Sequence, residues 1–294
     1  MIGFSQSSKQ NQTLDNVFSA KDILPILVGI DSSFRYKIVS DSITIWDSIY
    51  RGIYGATKAS AWAKYDVDGN GKNDLIVQVF WNERMGQSDI IVLLDSGLGN
   101  FSLKYITYMD YDQYFKINSI DSQKLLTLIS EKVDYSNRKD DRFIQVDTLT
   151  FMDGGFIEFN TYDHKHNLGR IKYSTDGGGF GPTRIIGLEI DSSGVVEQWE
   201  TIFGKYGHYV KKLNNEELSA FKNVISHIDI LNLKSKYYVP YTDMPTSTIT
   251  FTYGTIKKVI QDYGENGTFG LRMLQDLFFK YIDSDGWKET QNKK

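Results

Sequence analysis

Short apolar runs rich in β-branched residues, separated by glycine and polar turns, are the dominant pattern of this chain. Such runs favour strands, because alternate side chains of a strand meet opposite faces of a sheet and β-branched side chains fit its pleated surface. The pattern predicts strands at residues 75–80, 89–94, 101–106, 143–151, 156–162, 184–191, 195–202, 206–212, 247–253 and 256–262.

Other segments carry apolar residues at helical spacing instead. The predicted helices cover residues 41–55, residues 121–132, a segment that begins at Asn214, and a segment that begins near Thr268. Asp121 is the predicted N-cap of the second helix, and Asn214 with Glu217 three residues later has the form of a capping box. Apolar residues on one face of each segment predict amphipathic helices packed on the sheets.

Together these elements predict an α+β fold in two domains, each a mainly antiparallel sheet with packed helices. Residues 1–20 are interpreted as a flexible polar tether, and residues 21–165 as the first domain. Gly, Asp and His accumulate over residues 163–181, which predicts a boundary. Residues 170–290 then form the second domain, with the order β-β-β-α-β-β-α.

The strongest chemical signal is the segment at residues 66–74, which places oxygen-bearing side chains at its positions 1, 3, 5 and 9. Hard cations such as Ca²⁺ take six to eight oxygen ligands, and alternate side chains of a tight loop can converge on one point. The predicted side-chain ligands are Asp66, Asp68, Asn70 and Asp74, and Lys72 offers a carbonyl oxygen. An EF-hand is excluded, because its position 12 requires a bidentate Glu and Val77 stands there.

The same segment has a metal-free interpretation, since Asp-Gly and Asn-Gly pairs are also common in turns. Three carboxylates that converge without a cation would repel one another, which favours the metal site.

The loop and the strands after it resemble a known repeat. The aspartate-rich loop, the strand at 75–80, and the later hairpin with Gly97, Gly99 and Phe101 are similar to the FG-GAP or VCBS repeat over about residues 61–106. The resemblance implies the same calcium ligands, position by position. A β-propeller repeats its unit several times, and no second copy is present here, so a complete propeller is not expected.

Residues 175–288 resemble an uncharacterised bacterial family, domain of unknown function 6438. The matching stretches include the segment at 179–181, the hairpin with Gly194, the helix after Asn214, and the loop at 242–246. The family usually carries a cysteine pair where this chain has Gly179 and Thr183, so any role of those cysteines is lost. The resemblance implies a fold boundary and no known activity.

Composition limits the classes of function. The formal net charge of -4, without a basic patch, argues against a nucleic-acid partner, because binding requires neutralisation of phosphates. The absence of cysteine excludes disulfides, thiol catalysis and zinc–thiolate sites. No apolar run approaches the roughly 18 residues of a membrane-spanning helix, so no transmembrane segment is expected.

The first residues favour an exported protein. Residues 1–7 resemble the end of a bacterial export signal, and polar residues follow at 8–12. Outside the cell, millimolar calcium would fill even a weak site. A periplasmic, outer-surface or secreted location is therefore expected.

Two further clusters are candidates for chemistry. His164 and His166 would share one face of a strand, a spacing that suits zinc or copper, and the alternative is a polar interdomain loop. Asp243 and Thr246 form a candidate polar site with tyrosines nearby, and the alternative is an Asx-type turn that orders a long loop.

The favoured function is that of an exported calcium-binding protein, acting as a binding or structural module at the cell envelope with a protein or glycan partner. An enzyme is not favoured, because no catalytic motif is recognisable. One alternative is a hydrolase of glycan or peptide that uses carboxylates, with Asp243 or Asp163 as first candidates. Another is a subunit of an assembly.

Overall fold

A computed structural model describes residues 14–45, 57–81, 84–111, 113–120, 123–134, 141–160, 169–176, 185–202, 205–239, 242–282 and 284–290. Over these ranges the chain is mostly β-strand with three α-helices and open sheets, which is consistent with the α+β class. It divides into two compact units, Met1–Val133 with Asp141–Phe156, and Asp134–Asp140 with Ile157–Lys294. Independent folding of the two units stays a prediction.

The first unit begins with a helix and strands that pair antiparallel. The helix α1 spans Ala20–Ile30, and the strands are β1 Lys37–Val39, β2 Ser42–Ile45, β3 Thr57–Ser60, β4 Trp62–Tyr65, β5 Asp74–Trp81, β6 Arg84–Asp95 and β7 Phe101–Tyr111. Short 3-10 turns occur at Leu14–Asn16 and Ser32–Tyr36. One sheet has the order β1-β5-β6-β7 with β4 also paired to β5, and β2 pairs with β3.

Strand β5 is the centre of this unit. Residues 74–79 are all buried, because both faces of the strand are covered. Leu75, Val77 and Val79 contact α1 in one apolar cluster, while Ile76 and Gln78 are buried on the other face. The strands predicted at 75–80, 89–94 and 101–106 are confirmed as β5, β6 and β7.

A second sheet in the order β11-β10-β9-β8 follows. Its strands are β8 Gln113–Ile120, β9 Gln123–Asp134, β10 Asp141–Met152 and β11 Gly155–Glu158. The helix predicted at 121–132 is wrong over 123–132, because β9 occupies those residues. Residues 125–130 are all buried, and a strand buried on both faces loses the polar alternation that distinguishes it from a helix.

The helix predicted at 41–55 is also wrong at its start, where residues 42–45 form β2. Residues 46–56, which carry its predicted apolar face, lie outside the described residues.

The predicted tether at residues 1–20 is wrong for residues 14–20. Leu14 is 0% and Val17 1% exposed, and both belong to the cluster that contacts β5. Asp22 accepts hydrogen bonds from the Ser19 backbone N–H and hydroxyl, which fixes the start of α1. Burial of these two side chains attaches the segment to the core of the first unit.

Leu14→Ala is therefore expected to reduce the free energy of unfolding by about 2–4 kcal/mol, because it removes buried apolar surface and leaves a cavity. Chemical denaturation measures the change. Phe18→Ala is the matched control, since Phe18 is 77% exposed and should change stability by less than about 1 kcal/mol. Equal effects of the two substitutions would show that Leu14 does not contribute to the core.

The second unit contains one sheet of eight strands and two helices. Its elements are β12 Arg170–Thr175, β13 Ile185–Asp191, β14 Val195–Ile202, β15 Lys205–Lys212, α2 Asn215–His227, β16 Lys236–Tyr237, β17 Thr246–Tyr253, β18 Ile256–Tyr263, α3 Phe269–Ile282 and β19 Lys288–Glu289. The sheet order is β16-β18-β17-β12-β13-β14-β15-β19.

Both predicted helices of this unit are confirmed. Asn214 and Glu217 form the predicted capping box, each side chain accepting the other residue's backbone N–H at 2.9 and 2.8 Å. The helices pack on the sheet through aromatic rings. Tyr173 of β12 stacks on Phe278 of α3 at 4.8 Å between ring centroids, and Phe221 of α2 lies 5.2 Å from Phe278.

Strand β12 was not predicted, because it lies inside the segment at 163–181 that was interpreted as a boundary. It pairs with β13 on one side and with β17 on the other, so it is an interior strand of the sheet. Short strands β16 and β19 also add to the predicted order. Within the described residues, no helix is both long and apolar enough to cross a membrane.

Candidate metal centre

The segment at 66–74 is the loop of a hairpin between β4 and β5. The two strands are antiparallel, and Tyr65 pairs with Asp74 at the ends of the loop. Gly69 and Gly71 have φ angles of 76° and 84°, in the left-handed region that glycine adopts without strain. These two positions allow the loop to fold back on itself.

Backbone N–H groups hold the carboxylates of the loop in place. Asp66 accepts from the Asn70 N–H at 3.0 Å and from the Gly71 N–H at 2.8 Å. Asp68 accepts from the Asn70 N–H at 3.1 Å. Carboxylate oxygens of Asp66, Asp68 and Asp74 lie within 4.8 Å of one another. The sequence spacing therefore does bring these side chains to one point, and the cluster can hold a metal ion.

Asp74 is the anchor of the cluster and is 0% exposed. Its Oδ2 accepts from the Val67 N–H at 2.7 Å, and its Oδ1 from the Asp95 N–H at 2.8 Å. Burial raises the pKa of this carboxyl above its ordinary value, the two backbone donors act in the opposite direction, and the negative charge of Asp68 raises the pKa further. A buried anion of this kind is stabilised by a nearby cation.

Asn70 and Lys72 occupy the middle of the loop. The Asn70 Oδ1 accepts from the Lys72 N–H at 2.8 Å, and its amide donates to the Asp95 carbonyl at 3.0 Å. The Lys72 ammonium donates to the Ser96 carbonyl at 2.8 Å. Among the described residues, Lys72 forms no ion pair with the three aspartates. The Lys72 carbonyl as a ligand stays a prediction.

Sequence reasoning missed the part played by the turn between β6 and β7. The Asp95 N–H donates to the Asp74 carboxylate, and the Asp95 carbonyl accepts from the Asn70 amide. These two hydrogen bonds connect the turn to the loop. The contact depends on the pairing of β5 with β6, where Leu75 lies opposite Leu93. The predicted hairpin with Gly97 and Gly99 was the available signal, but its position beside the loop follows only from the register.

The chain has four histidines, of which two lie outside the described residues and two already have partners. Residues 163–166 are outside the described ranges, so the histidine pair stays a prediction. His227 Nε2 lies 2.7 Å from the Glu158 carbonyl. His208 lies 3.6 Å from a Glu197 oxygen through Nε2 and 2.6 Å from the Thr290 hydroxyl through Nδ1. Both of these histidines are held by structural contacts.

Asp243 and Thr246 lie at the entry to β17. Asp243 is exposed and has a φ of 63°, an unusual conformation that Asp tolerates in turns. The Thr246 N–H donates to the Asp176 carboxylate at 2.8 Å, which ties this loop to the end of β12. A polar site at Asp243 and Thr246 stays a prediction.

Asp262 carries a perturbed pKa outside the loop. Its side chain is nearly enclosed, and it accepts from the Asn266 and Gly267 N–H groups at 2.8 and 3.1 Å. Burial raises the pKa of this carboxyl, and the two backbone donors oppose the change. These hydrogen bonds order the loop before α3. Because Asp262 is only 2% exposed, its carboxylate is not accessible to a substrate.

A comparison with family models matches residues 169–282 to a domain of unknown function, DUF6438. The match begins at the start of β12 and ends with α3, and it supports the predicted resemblance of the second unit. The description of the family carries no activity. Neither the comparison with curated proteins nor that with solved structures found a match. The resemblance of residues 61–106 to the FG-GAP or VCBS repeat stays a prediction.

Proposed function

We propose that the loop at residues 66–74 binds Ca²⁺ and that the protein is an exported binding or structural module whose first unit is stabilised by the ion. The observation that carries this is the convergence of Asp66, Asp68 and Asp74 within 4.8 Å. Asn70 adds an amide oxygen, and Lys72 a carbonyl. All these donors are oxygens, which are the ligands that hard cations prefer.

The number of oxygen donors in the loop supports calcium over magnesium, because magnesium usually binds through one or two carboxylates and keeps several waters. Calcium–oxygen distances are about 2.3–2.6 Å, so ligands on opposite sides of one ion lie about 4.6–5.2 Å apart. Carboxylate oxygens that all lie within 4.8 Å of one another can surround an ion of this size. Magnesium–oxygen distances are about 2.0–2.1 Å, which requires a tighter set of ligands and rigid octahedral geometry.

The expected role of the ion is to stabilise a hairpin whose anions otherwise repel. A ligand that binds the folded state alone adds about 2.7 kcal/mol when present at roughly 100 times its dissociation constant. Calcium should therefore raise the melting temperature of the intact chain, chelator should lower it, and magnesium should substitute poorly. Differential scanning calorimetry in calcium and in chelator measures this shift.

Matched variants separate binding from folding. Asp66→Asn keeps the shape of a partly exposed side chain but removes its charge, and it should abolish the calcium-induced shift. Lys72→Ala, the control in the same loop, should retain it, because Lys72 contributes only its backbone carbonyl. Two results together would contradict the proposal. The wild type would melt at the same temperature with and without chelator, and calorimetry would detect no binding at millimolar calcium.

Affinity also tests the proposed location. Extracellular calcium modules bind with dissociation constants of about 10⁻⁴–10⁻³ M, whereas cytosolic buffers bind at about 10⁻⁹–10⁻⁸ M. We expect isothermal titration to give a value in the extracellular range. A nanomolar constant would contradict an exported module, even if the metal site itself were correct.

A further inference from the structure

Among the described residues, α2 and α3 pack on one face of the second unit's sheet. Side chains on the other face, which we name the open face, include the exposed Lys172 and Gln261. Tyr173, Leu188 and Phe251 are buried on the helix side. Their neighbours along the same strands lie on the opposite side, because side chains of a strand alternate. Ser174 and Thr248 on that side are partly exposed. The centre of the open face is therefore polar and partly exposed.

One line of residues crosses the open face at right angles to the strands. The register of β18, β17, β12, β13, β14 and β15 places six residues opposite one another in turn, and we name them the indole row: Gln261, Thr248, Ser174, Gly187, Trp199 and His208. With about 4.8 Å between neighbouring strands, the row is about 24 Å long. One strand spacing is close to the length of one pyranose ring.

Trp199 covers Gly187 in this row. A Cβ built on Gly187 would lie 2.1 Å from the indole Nε1 and 2.3 Å from Cε2, so any other residue would displace the ring. Trp199 is half-buried by this contact. The exposed Lys172 places its ammonium 4.6 Å from the centroid of the indole ring. The ring is thus held against the backbone of β13 as a platform beside the polar part of the row.

Four ionisable groups of the open face lie in two pairs. Arg170 lies 3.1 Å from Glu189, and His208 3.6 Å from Glu197. The row's other polar side chains are those of Ser174, Thr248 and Gln261, and none of them forms a hydrogen bond within the described part of the chain. Hydroxyl and amide groups complement a neutral, hydroxyl-rich partner better than a charged one.

We propose that the indole row binds a neutral, extended glycan chain. One sugar ring stacks its C–H face on Trp199, because the apolar face of a pyranose is attracted to the negative face of an aromatic ring. Hydroxyls of the next rings exchange hydrogen bonds with Ser174, Thr248 and Gln261. The Lys172 ammonium moves off the indole, as its flexible, exposed side chain allows. The row lies in the second unit and requires no metal ion.

Isothermal titration of the full chain with cellohexaose, xylohexaose, mannohexaose and chitohexaose tests the site. At least one of them should bind with a millimolar or smaller dissociation constant. Trp199→Ala should weaken that binding at least about tenfold. Thr248→Val, which removes one hydroxyl at a partly exposed position, should weaken it about fivefold. Lys172→Ala should not weaken it, because it uncovers the ring.

Thr250→Val is the matched control, because Thr250 lies on the same face of β17 but pairs with Lys172 and Val259, outside the row. It should leave the affinity unchanged. If Trp199→Ala does not fold, Thr248→Val and Thr250→Val decide the result.

Three outcomes would overturn the glycan site. The first is that none of the four neutral hexasaccharides binds at millimolar concentration. The second is that Thr250→Val weakens binding as much as Thr248→Val. The third is a dimer that dissociates on Trp199→Ala, which would assign the row to a second copy of the chain. Glycan binding should persist in chelator, because the row requires no metal ion. A separate calcium titration tests the calcium proposal, so the two proposals can fail independently.

Discussion

Asp74→Ala is expected to reduce the free energy of unfolding by about 2–4 kcal/mol in calcium-free buffer, because it leaves two backbone donors without an acceptor. The Val67 and Asp95 N–H groups both depend on this carboxylate, which is fully buried. With calcium at roughly 100 times its dissociation constant, the wild type gains about 2.7 kcal/mol more. The variant should lack that gain, so the difference between the two proteins widens.

Asp68→Ala is the control for this prediction, since Asp68 belongs to the same carboxylate cluster but is exposed. In calcium-free buffer it should change stability by less than about 1 kcal/mol. In calcium it should lose the same stabilisation as Asp74→Ala. Urea denaturation in both buffers gives the four differences. Equal destabilisation by the two substitutions in chelator would show that Asp74 does not anchor the hairpin.

Phe278→Ala is expected to destabilise the second unit by about 3–5 kcal/mol, the usual range for removal of a buried aromatic ring. Phe278 is 0% exposed and lies between Tyr173 on the sheet and Phe221 on α2. Its removal leaves a cavity at the contact between both helices and the sheet. Chemical denaturation followed by near-ultraviolet circular dichroism reports loss of this aromatic packing.

The next residue along α3 provides a matched control. Phe279 is 37% exposed and touches Tyr173 edge-on, with 5.8 Å between ring centroids. Phe279→Ala should reduce stability by less than about 1.5 kcal/mol. Equal losses of stability from Phe278→Ala and Phe279→Ala would show that the stacked ring of Phe278 is not the main contact between α3 and the sheet.

Local patterns predicted the elements whose two faces have different environments. Strand β17 alternates partly exposed threonines with buried Ser247, Ile249 and Phe251 over residues 246–251, so its period of two is visible in the sequence. Helix α2 has both an apolar stripe and a capping box. These signals are local, so they can be recognised without knowledge of the rest of the chain.

The errors occur where burial is complete or pairing is distant. Strand β9 is buried on both faces, and its apolar residues matched a helix equally well. Strand β12 is short and lies among turn-forming residues, and its partner β17 begins more than seventy residues later. Leu14 and Val17 contact a strand about sixty residues away. No local period contains that information.

The same distinction between local signals and long-range pairing applies to the candidate metal centre. The spacing of Asp66, Asp68 and Asp74 was sufficient to predict their convergence, because alternate side chains of a tight loop share one side. The contacts from Asp95 depended on the register of β5 with β6, which the loop does not encode. The indole row was equally hidden, since its residues come from six strands and meet only through their pairing.

The interior position of β12 has a consequence for synthesis of the chain. Ribosomes add about 5–20 residues per second, so β17 emerges several seconds after β12. Until then β12 can pair with β13 alone, and its other edge carries unpaired N–H and C=O groups that another chain can join. The sheet therefore cannot be completed in the order of translation. Nascent chains that stall before residue 246 would expose the unpaired edge of β12, to which another chain can bind. In released chains β17 pairs with that edge.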